Sequence, residues 1–286
     1  MTPSLSPNPI DDIRQLFTYP FMVNALAAGT IVAILAGVVG WYVVLRRQTF
    51  ASHTLSVMAF PGATGAALAG LPTALGYYVA CTVAALAIGR SGRGGRPGRA
   101  HGGESAVIGT VQTVGLAAGF LFLSLNDAVL GGPETLLFGT FLGITRGQVL
   151  GLLLVTLGAL ATLTALARPL LFASVDREVA RASGVPVALL DALFLLILGL
   201  AIAATSQLTG ALLVFALLVA PPAAAQRLTL RPIAGLVLSV VFALVIVWLA
   251  LAIAYFSIYP VGFYVSTIGC VVYVLARVAR PRPPHR

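Results

Sequence analysis

Residues 21–45 read FMVNALAAGTIVAILAGVVGWYVVL and contain no charged side chain. A helix needs about 20 mostly apolar residues to cross the hydrocarbon core of a bilayer, so this stretch predicts a membrane-spanning helix. Similar apolar stretches recur along the 286-residue chain. The candidate spans are Phe21–Leu45, Ser52–Ala69, Pro72–Ile88, Ser105–Leu125, Val149–Ala167, Val187–Thr205, Leu208–Ala225, Ile233–Phe256 and Val261–Val278.

These nine stretches predict an all-α polytopic membrane protein. A polar segment of residues 1–20 precedes a transmembrane domain of residues 21–278, and residues 279–286 form a tail. The composition agrees, because hydrophobic residues make up 59% of the chain and charged residues only 9%. A soluble domain carries about 25% charged residues, so most of this chain must be solvated by lipid.

All 17 basic residues are arginine. Without lysine, the chain has neither the P-loop lysine that holds nucleotide phosphates nor a lysine for Schiff-base catalysis. Fifteen of the arginines fall in one set of loops, and only Arg14 and Arg146 fall in the other. The positive-inside rule then predicts an external amino terminus, a cytoplasmic carboxyl terminus and an odd number of spans across the cell (plasma or inner) membrane. Arginines placed between apolar runs in this way argue against nucleic-acid binding.

The remaining segments predict local features. Ser91–Gly103 is glycine-rich and predicts a flexible cytoplasmic loop that holds no helix. Glu134–Gly143 is too short to span and predicts a half-helix at the outer surface. Cys81 and Cys270 lie inside apolar stretches, which is typical of small buried side chains rather than a disulfide or metal site. No cofactor is expected.

The stretch Arg46–Gly62 reads RRQTFASHTLSVMAFPG. Its two arginines end the first span, and Pro61 and Gly62 predict a break in the helix that follows. Broken helices at membrane depth are tolerated where they line a cavity. A third stretch, Gly210–Ala225, carries small residues at close spacing, which favour tight helix packing.

The stretch Asp176–Pro186 reads DREVARASGVP between two predicted spans. Asp176 is suited to cap a short charged helix, and Gly184 and Pro186 are suited to end it. A helix of this shape fits a groove on a cytoplasmic partner, but an ordinary interfacial loop helix fits the pattern equally well.

Together these stretches resemble the permease subunits of the ABC transporters for zinc, manganese and iron, the ABC-3 family. The resemblance covers about Phe21 to Val278. Matching positions in the first stretch are Leu45, Arg46, Arg47, Phe50, Leu55, Ser56, Pro61 and Gly62. Those in the second are Asp176, Glu178, Ala180, Gly184 and Pro186. Those in the third are Gly210, Leu212, Leu213, Val214, Ala216, Leu217, Leu218, Val219 and Pro221, and the LLFGT run at Leu136–Thr140 matches as well.

The resemblance implies a fold similar to that of the vitamin B12 importer permeases and a transport subunit rather than an enzyme. It implies a homodimer with the translocation path on its two-fold axis and an extracellular solute-binding protein that delivers the substrate. Two copies of a separate ATPase subunit, which hydrolyse the ATP, would dock on Asp176, Glu178, Ala180, Gly184 and Pro186. The implied path residues are His53, Ser56, Met58, Pro61 and Gly62.

This chain departs from the family at its metal-binding pair. The family has Asp and His four residues apart on one helix, where both face the same ligand. Here those positions hold His53 and Val57, so the carboxylate is lost. Two copies of His53 across a dimer axis suit zinc, and Met58 nearby suits a cuprous ion. The alternatives are that the site no longer handles a bare metal, or that His53 is a structural residue at a helix end.

Three other functions stay open. Import of a siderophore, haem or another non-metal solute would explain the lost carboxylate. An intramembrane enzyme could use Ser52, His53 and Ser56, although no carboxylate orients the histidine. A proton-driven carrier needs acidic residues inside spans, and only Asp191 qualifies. We expect Asp191 to pair instead with Arg177 or Arg181 as a structural anchor.

Overall fold

The computed structural model describes residues 17–91, 100–125, 144–257 and 259–279. Within these ranges the chain is helical, and no strand occurs there. The ten helices are α1 (Pro20–Leu45), α2 (Thr49–Leu68), α3 (Thr73–Ser91), α4 (Ala100–Ser124), α5 (Arg146–Val175), α6 (Arg177–Ala182), α7 (Val187–Thr209), α8 (Ala211–Leu228), α9 (Pro232–Tyr255) and α10 (Val261–Ala279).

Every predicted span coincides with one of the long helices, so the all-α polytopic class is confirmed. Within the described residues, seven of the helices are long and apolar enough to cross a membrane. The other two long helices are α2, which carries several polar side chains, and α8, whose apolar part is short. Helix α5 runs well beyond the predicted Ala167 because Pro169 does not end it, and a capping box between Thr145 and Gln148 starts it earlier than predicted.

The predicted break at Pro61 and Gly62 is wrong. Helix α2 continues through Pro61 to Leu68. Proline removes a single backbone donor, and packing of neighbouring helices compensates for that loss in membrane helices. Here α3 and α4 both pack along α2. A Cβ atom on Gly62 would lie 2.3 Å from the carbonyl oxygen of Gly76 in α3, so the two backbones are in direct contact.

Two groups of helices make up the bundle. In one group α1 packs against α8 and α9, and α10 packs against α8 and α9. In the other group α2 packs against α3 and α4. Helix α7 contacts α3 and α2 on one side and α8 and α1 on the other, and α5 packs on α1 and α7. Helix α7, together with direct packing of α8 on α2, therefore joins the two groups.

Glycines set the closest crossings of α1. A Cβ atom on Gly40 would lie 2.3 Å from the carbonyl oxygen of Leu218 in α8, and one on Gly37 would lie 2.7 Å from Cα of Val240 in α9. The hydroxyl of Ser239 donates a 2.8 Å hydrogen bond to the carbonyl oxygen of Gly37. Small residues let helix backbones approach in this way, and such contacts drive packing where lipid removes the usual hydrophobic force.

Three local expectations have different outcomes. The expected loop Ser91–Gly103 is partly helical, because α3 reaches Ser91 and α4 begins at Ala100, while residues 92–99 lie outside the described residues. Cys81 is buried as expected, but Cys270 is exposed, because α10 lies at the edge of the bundle. The expected half-helix Glu134–Gly143 and the Leu136–Thr140 match lie outside the described residues.

Candidate functional site

Helix α6 forms as the sequence predicts. One carboxylate oxygen of Asp176 accepts hydrogen bonds from the backbone N–H groups of Glu178 and Val179, each at 3.0 Å. These bonds satisfy donors that the first turn of a helix otherwise leaves free. The helix ends at Ala182, and Gly184 follows with φ of +81°, a left-handed conformation that favours glycine. The N–H of Val185 then donates to the carbonyl oxygen of Ala180 at 3.0 Å.

Only one side chain of α6 is buried. Ala180 is fully buried beneath the helix, where α5 and α7 pack against it. The other five residues of α6 are exposed, and among them Val179 presents an apolar side chain that is 50% exposed. Helix α6 is therefore fixed to the bundle through its small residue and leaves a charged and apolar surface free.

An ion-pair network anchors the start of α6. The two carboxylate oxygens of Asp191 in α7 bind separate guanidinium groups, one from Arg46 and one from Arg177. The pair with Arg177 confirms the predicted anchor, whereas Arg46 is a partner that the sequence did not indicate. No local pattern could have found it, because Arg46 and Asp191 are 145 residues apart.

Arg46 is held deep in the protein. Its side chain is 3% exposed, it donates a 3.0 Å hydrogen bond to the hydroxyl of Ser174, and its guanidinium lies 5.2 Å from the ring centre of Phe194. Burial lowers the pKa of Arg46, and the neighbouring Asp191 carboxylate opposes that shift. The network connects the end of α1, the start of α6 and the start of α7.

His53 lies in the second turn of α2 and is half-buried. Its ring meets that of Phe215 in α8 edge to face, with the ring centres 4.6 Å apart. Its Nδ1 atom is buried and has no hydrogen-bond partner in the described part of the chain. An unpaired ring nitrogen keeps its capacity to bind a proton donor or a metal. Val57, one turn further along, is buried.

The structure separates the five predicted path residues. Met58, Pro61 and Gly62 line a cavity of about 470 Å³ between α2, α3 and α4, and His53 does not line it. Met58 is five positions after His53 in the helix, which places the two side chains roughly 140° apart around its axis. The hydroxyl of Ser56 donates to the carbonyl oxygen of His53 at 2.8 Å and so serves the helix itself. His53 therefore lies on a different face of α2 from Met58, Pro61 and Gly62. The hydroxyl of Ser56 bonds to the backbone of its own helix.

The serine residues near His53 offer no activated nucleophile. The hydroxyl of Ser52 donates to the carbonyl oxygen of Thr49 at 2.8 Å, and that of Ser56 donates to backbone carbonyls. Nucleophilic catalysis needs the hydroxyl within hydrogen-bond reach of its base, and neither serine makes that bond. Both hydroxyls therefore bond to the backbone of α2.

Comparison with known proteins identifies the family to which this chain belongs. The model of the ABC 3 transport family matches residues 18–280. The chain belongs to this family. Over 271 residues it is 30% identical to the manganese transport system membrane protein MntC of Halalkalibacterium halodurans, a match that covers 94% of this chain and 90% of the relative. Over 219 residues it is 31% identical to the chelated iron transport system membrane protein YfeC of Yersinia pestis, covering 77% of this chain and 72% of the relative.

Solved structures have the same fold. The chain aligns with PsaBC from Streptococcus pneumoniae, solved in complex with a Fab, at a TM-score of 0.83 and 24% identity over 96% of both chains. It aligns with an inward-facing metal-chelate type ABC transporter at a TM-score of 0.74 and 17% identity over 96% of this chain and 92% of the other. The expected permease fold and family are therefore confirmed, and the protein is a multi-pass membrane subunit of an ABC transport system.

Proposed function

We propose that this protein is the permease of an ATP-driven importer for a transition metal ion or its complex. The transport systems to which its relatives belong, for manganese and for chelated iron, support the class of cargo. The observation that carries the proposal is α6, a capped helix with an exposed surface, which is attached to the bundle by the buried Ala180 and by the Arg177–Asp191 pair.

A separate ATPase subunit would supply the energy. The chain contains no lysine, so it cannot form a P-loop of its own. The exposed part of α6 is suited to a groove on such a partner, with Val179 as the apolar contact and the charged side chains around it. In a homodimer of this permease, Asp176–Pro186 would occur twice and bind two ATPase copies. A solute-binding protein would deliver cargo to the opposite, external side.

The cargo would pass the His53 face of α2. His53 has an unpartnered buried ring nitrogen, which suits a borderline metal ion such as zinc. No group of three or more His, Cys, Asp or Glu side chains comes together in the described ranges. This arrangement makes a metal that carries its own chelating ligands, such as a siderophore complex or haem, the second candidate, because such a cargo needs few protein ligands.

Transport assays would test the proposal. The permease, the ATPase and the binding protein would be reconstituted in liposomes, and uptake of radiolabelled manganese, zinc and iron would be measured with and without chelators. We expect ATP-dependent uptake of at least one metal or metal complex. Failure of all of them to enter, in vesicles whose ATPase is active, would contradict the proposal.

A variant of α6 would test the docking surface in the same vesicles. Val179→Ser removes the exposed apolar contact of α6 and should reduce both ATPase co-purification and uptake. Leu230→Ser is the matched control, because Leu230 is also an exposed apolar residue, at 93% exposure, but lies between α8 and α9. Equal ATPase recovery for the two variants would place the docking surface elsewhere.

A further inference from the structure

A second cavity lies where the end of α1, the start of α2 and the end of α5 meet. Its volume is about 560 Å³, and it is separate from the cavity beside Met58. Its polar lining consists of Arg46, Arg47, Gln48, Ser174 and Arg177. The ion-pair network accounts for Arg46 and Arg177, but neither it nor the proposed transport path accounts for Arg47 in this cavity.

The cavity has an excess of positive charge. Among the described residues, Asp191 is the carboxylate that pairs with these arginines, and it binds Arg46 and Arg177. The nearby Asp176 carboxylate accepts hydrogen bonds from the backbone of α6. Arg47 has no ion-pair partner in the described part of the chain. An anion placed in the cavity would therefore balance a charge that the described residues leave unpaired.

The backbone holds Arg47 in an unusual conformation. Its φ is +57°, and it is the sole residue other than glycine with positive φ in the described ranges. Residues without a special local role seldom adopt this left-handed region, and such outliers are concentrated at binding sites. The turn places Arg46 on the buried side and Arg47 on the exposed side of the same cavity.

Two polar atoms of the lining residues lack partners. Nε of Arg46, a donor, and Oε1 of Gln48, an acceptor, are buried without a hydrogen bond in the described part of the chain. Buried polar groups are nearly always satisfied, so unpaired ones at a cavity indicate a missing ligand or water. A ligand that offers both an anionic acceptor and a hydroxyl donor has the matching chemistry.

The rim of the cavity is apolar. Phe50 is 46% exposed and Val175 is 80% exposed, and both line the cavity beside the arginines. The cavity also lies at the ends of α1 and α5, two helices long and apolar enough to span a membrane, and the ends of spanning helices are where lipid headgroups are found. Exposed apolar side chains next to a basic cavity fit a molecule with a charged head and acyl chains better than they fit a free anion.

We propose that this cavity binds the headgroup of an anionic phospholipid. The guanidinium groups of Arg47 and Arg177 contact its phosphate, and Gln48 accepts a hydrogen bond from a headgroup hydroxyl. Phe50 and Val175 contact the acyl chains. Because Arg177 and Arg46 also hold Asp191, the bound lipid lies directly against the first residue of α6 and stabilises its attachment to the bundle.

Lipid binding to the full-length permease would test this site. Native mass spectrometry of the purified protein in detergent would measure the affinities of phosphatidylglycerol and phosphatidylcholine. We expect phosphatidylglycerol to bind preferentially and Arg47→Gln to weaken it roughly fivefold, the effect of one arginine near an anionic headgroup. Arg47→Lys, which retains the charge, should bind within about twofold of the wild type. Arg168→Gln removes an exposed arginine that does not line the cavity, so it should leave binding unchanged.

Gln48 provides a second, independent variant. The wild type should prefer phosphatidylglycerol to phosphatidylmethanol, an anionic lipid whose headgroup has no hydroxyl, and Gln48→Leu should lose that preference. Equal binding of phosphatidylglycerol by the wild type, Arg47→Gln and Arg168→Gln would overturn the proposal. So would competition by millimolar inorganic phosphate that removes all lipid selectivity, which would identify a site for the free anion. Loss of ATPase association in Arg47→Gln with unchanged lipid binding would also overturn it, because the cavity would then receive an acidic side chain of the partner.

Discussion

The guanidinium of Arg46, at the end of α1, and the carboxylate of Asp191, near the start of α7, form an ion pair across 145 residues of sequence. The Arg46 side chain is almost completely buried, so Asp191 is the group that neutralises it. Asp191 also binds Arg177 in α6. One carboxylate therefore connects the candidate ATPase-docking helix to the end of α1 and the start of α7.

Removing this carboxylate should destabilise the protein. Asp191→Asn leaves the buried Arg46 without a counter-charge, and breaking a buried pair in this way costs about 3 kcal/mol. Glu178→Gln is the control, because it removes a carboxylate from an exposed position on α6. Thermal unfolding of the detergent-solubilised permease would measure both variants. Equal midpoints for the two would show that the ion pair contributes nothing to stability.

The crossing of α2 and α3 should tolerate no added methyl group. A Cβ atom on Gly62 would lie 2.3 Å from the carbonyl oxygen of Gly76, and backbone atoms cannot move aside. We expect Gly62→Ala to destabilise the protein by about 2 kcal/mol through overpacking. The Cβ atom added by Gly109→Ala or by Gly151→Ala would have no neighbouring atom within 4 Å, so these two substitutions should be neutral or stabilising. Unfolding midpoints would compare the three variants, and an unchanged midpoint for Gly62→Ala would refute the close crossing.

The orientation of the chain can be measured at the two ends of α9. Leu230 precedes α9 on the arginine-rich side and is 93% exposed, and Tyr259 follows it and is 60% exposed. In a background with Cys81→Ala and Cys270→Ala, an impermeant thiol reagent should label Tyr259→Cys in intact cells. It should label Leu230→Cys only after the cells are permeabilised. The reverse pattern would invert the proposed topology and move α6 to the external side.

His53 and Met58 distinguish the two faces of α2. If cargo passes the His53 face as a bare metal ion, His53→Ala should reduce metal uptake by the reconstituted transporter at least about tenfold, because the ring supplies the available nitrogen. Met58→Ala should then retain most of the uptake, since Met58 lines the separate cavity against α3 and α4. Val57→His should slow release of the metal by adding a second ligand one turn away.

Other uptake results for His53→Ala and Met58→Ala would each point to a different path or cargo. Normal uptake of free metal by His53→Ala would make the histidine structural, with its ring packed on Phe215. Loss of uptake in Met58→Ala alone would move the path to the α2–α3–α4 cavity. Uptake of a chelated metal that neither variant changes would support a cargo that carries its own ligands.

Features that depend on neighbouring residues could be predicted from the sequence alone. The spans follow from unbroken apolar stretches, because lipid forces the backbone to bond within its own helix. Helix α6 follows from Asp176 and Gly184, because a cap and a left-handed end are made by hydrogen bonds within a few residues. The family resemblance could also be recognised, since its motifs are local.

Which distant groups meet depends on the tertiary structure. It paired Arg46 with Asp191, placed His53 and Met58 against different helices, and put Gly62 against Gly76. It also kept α2 continuous through Pro61, where the sequence predicted a break. These outcomes depend on how helices far apart in the chain cross and rotate. Packing of side chains and small residues sets that geometry, and no local pattern in an almost uniformly apolar sequence specifies it.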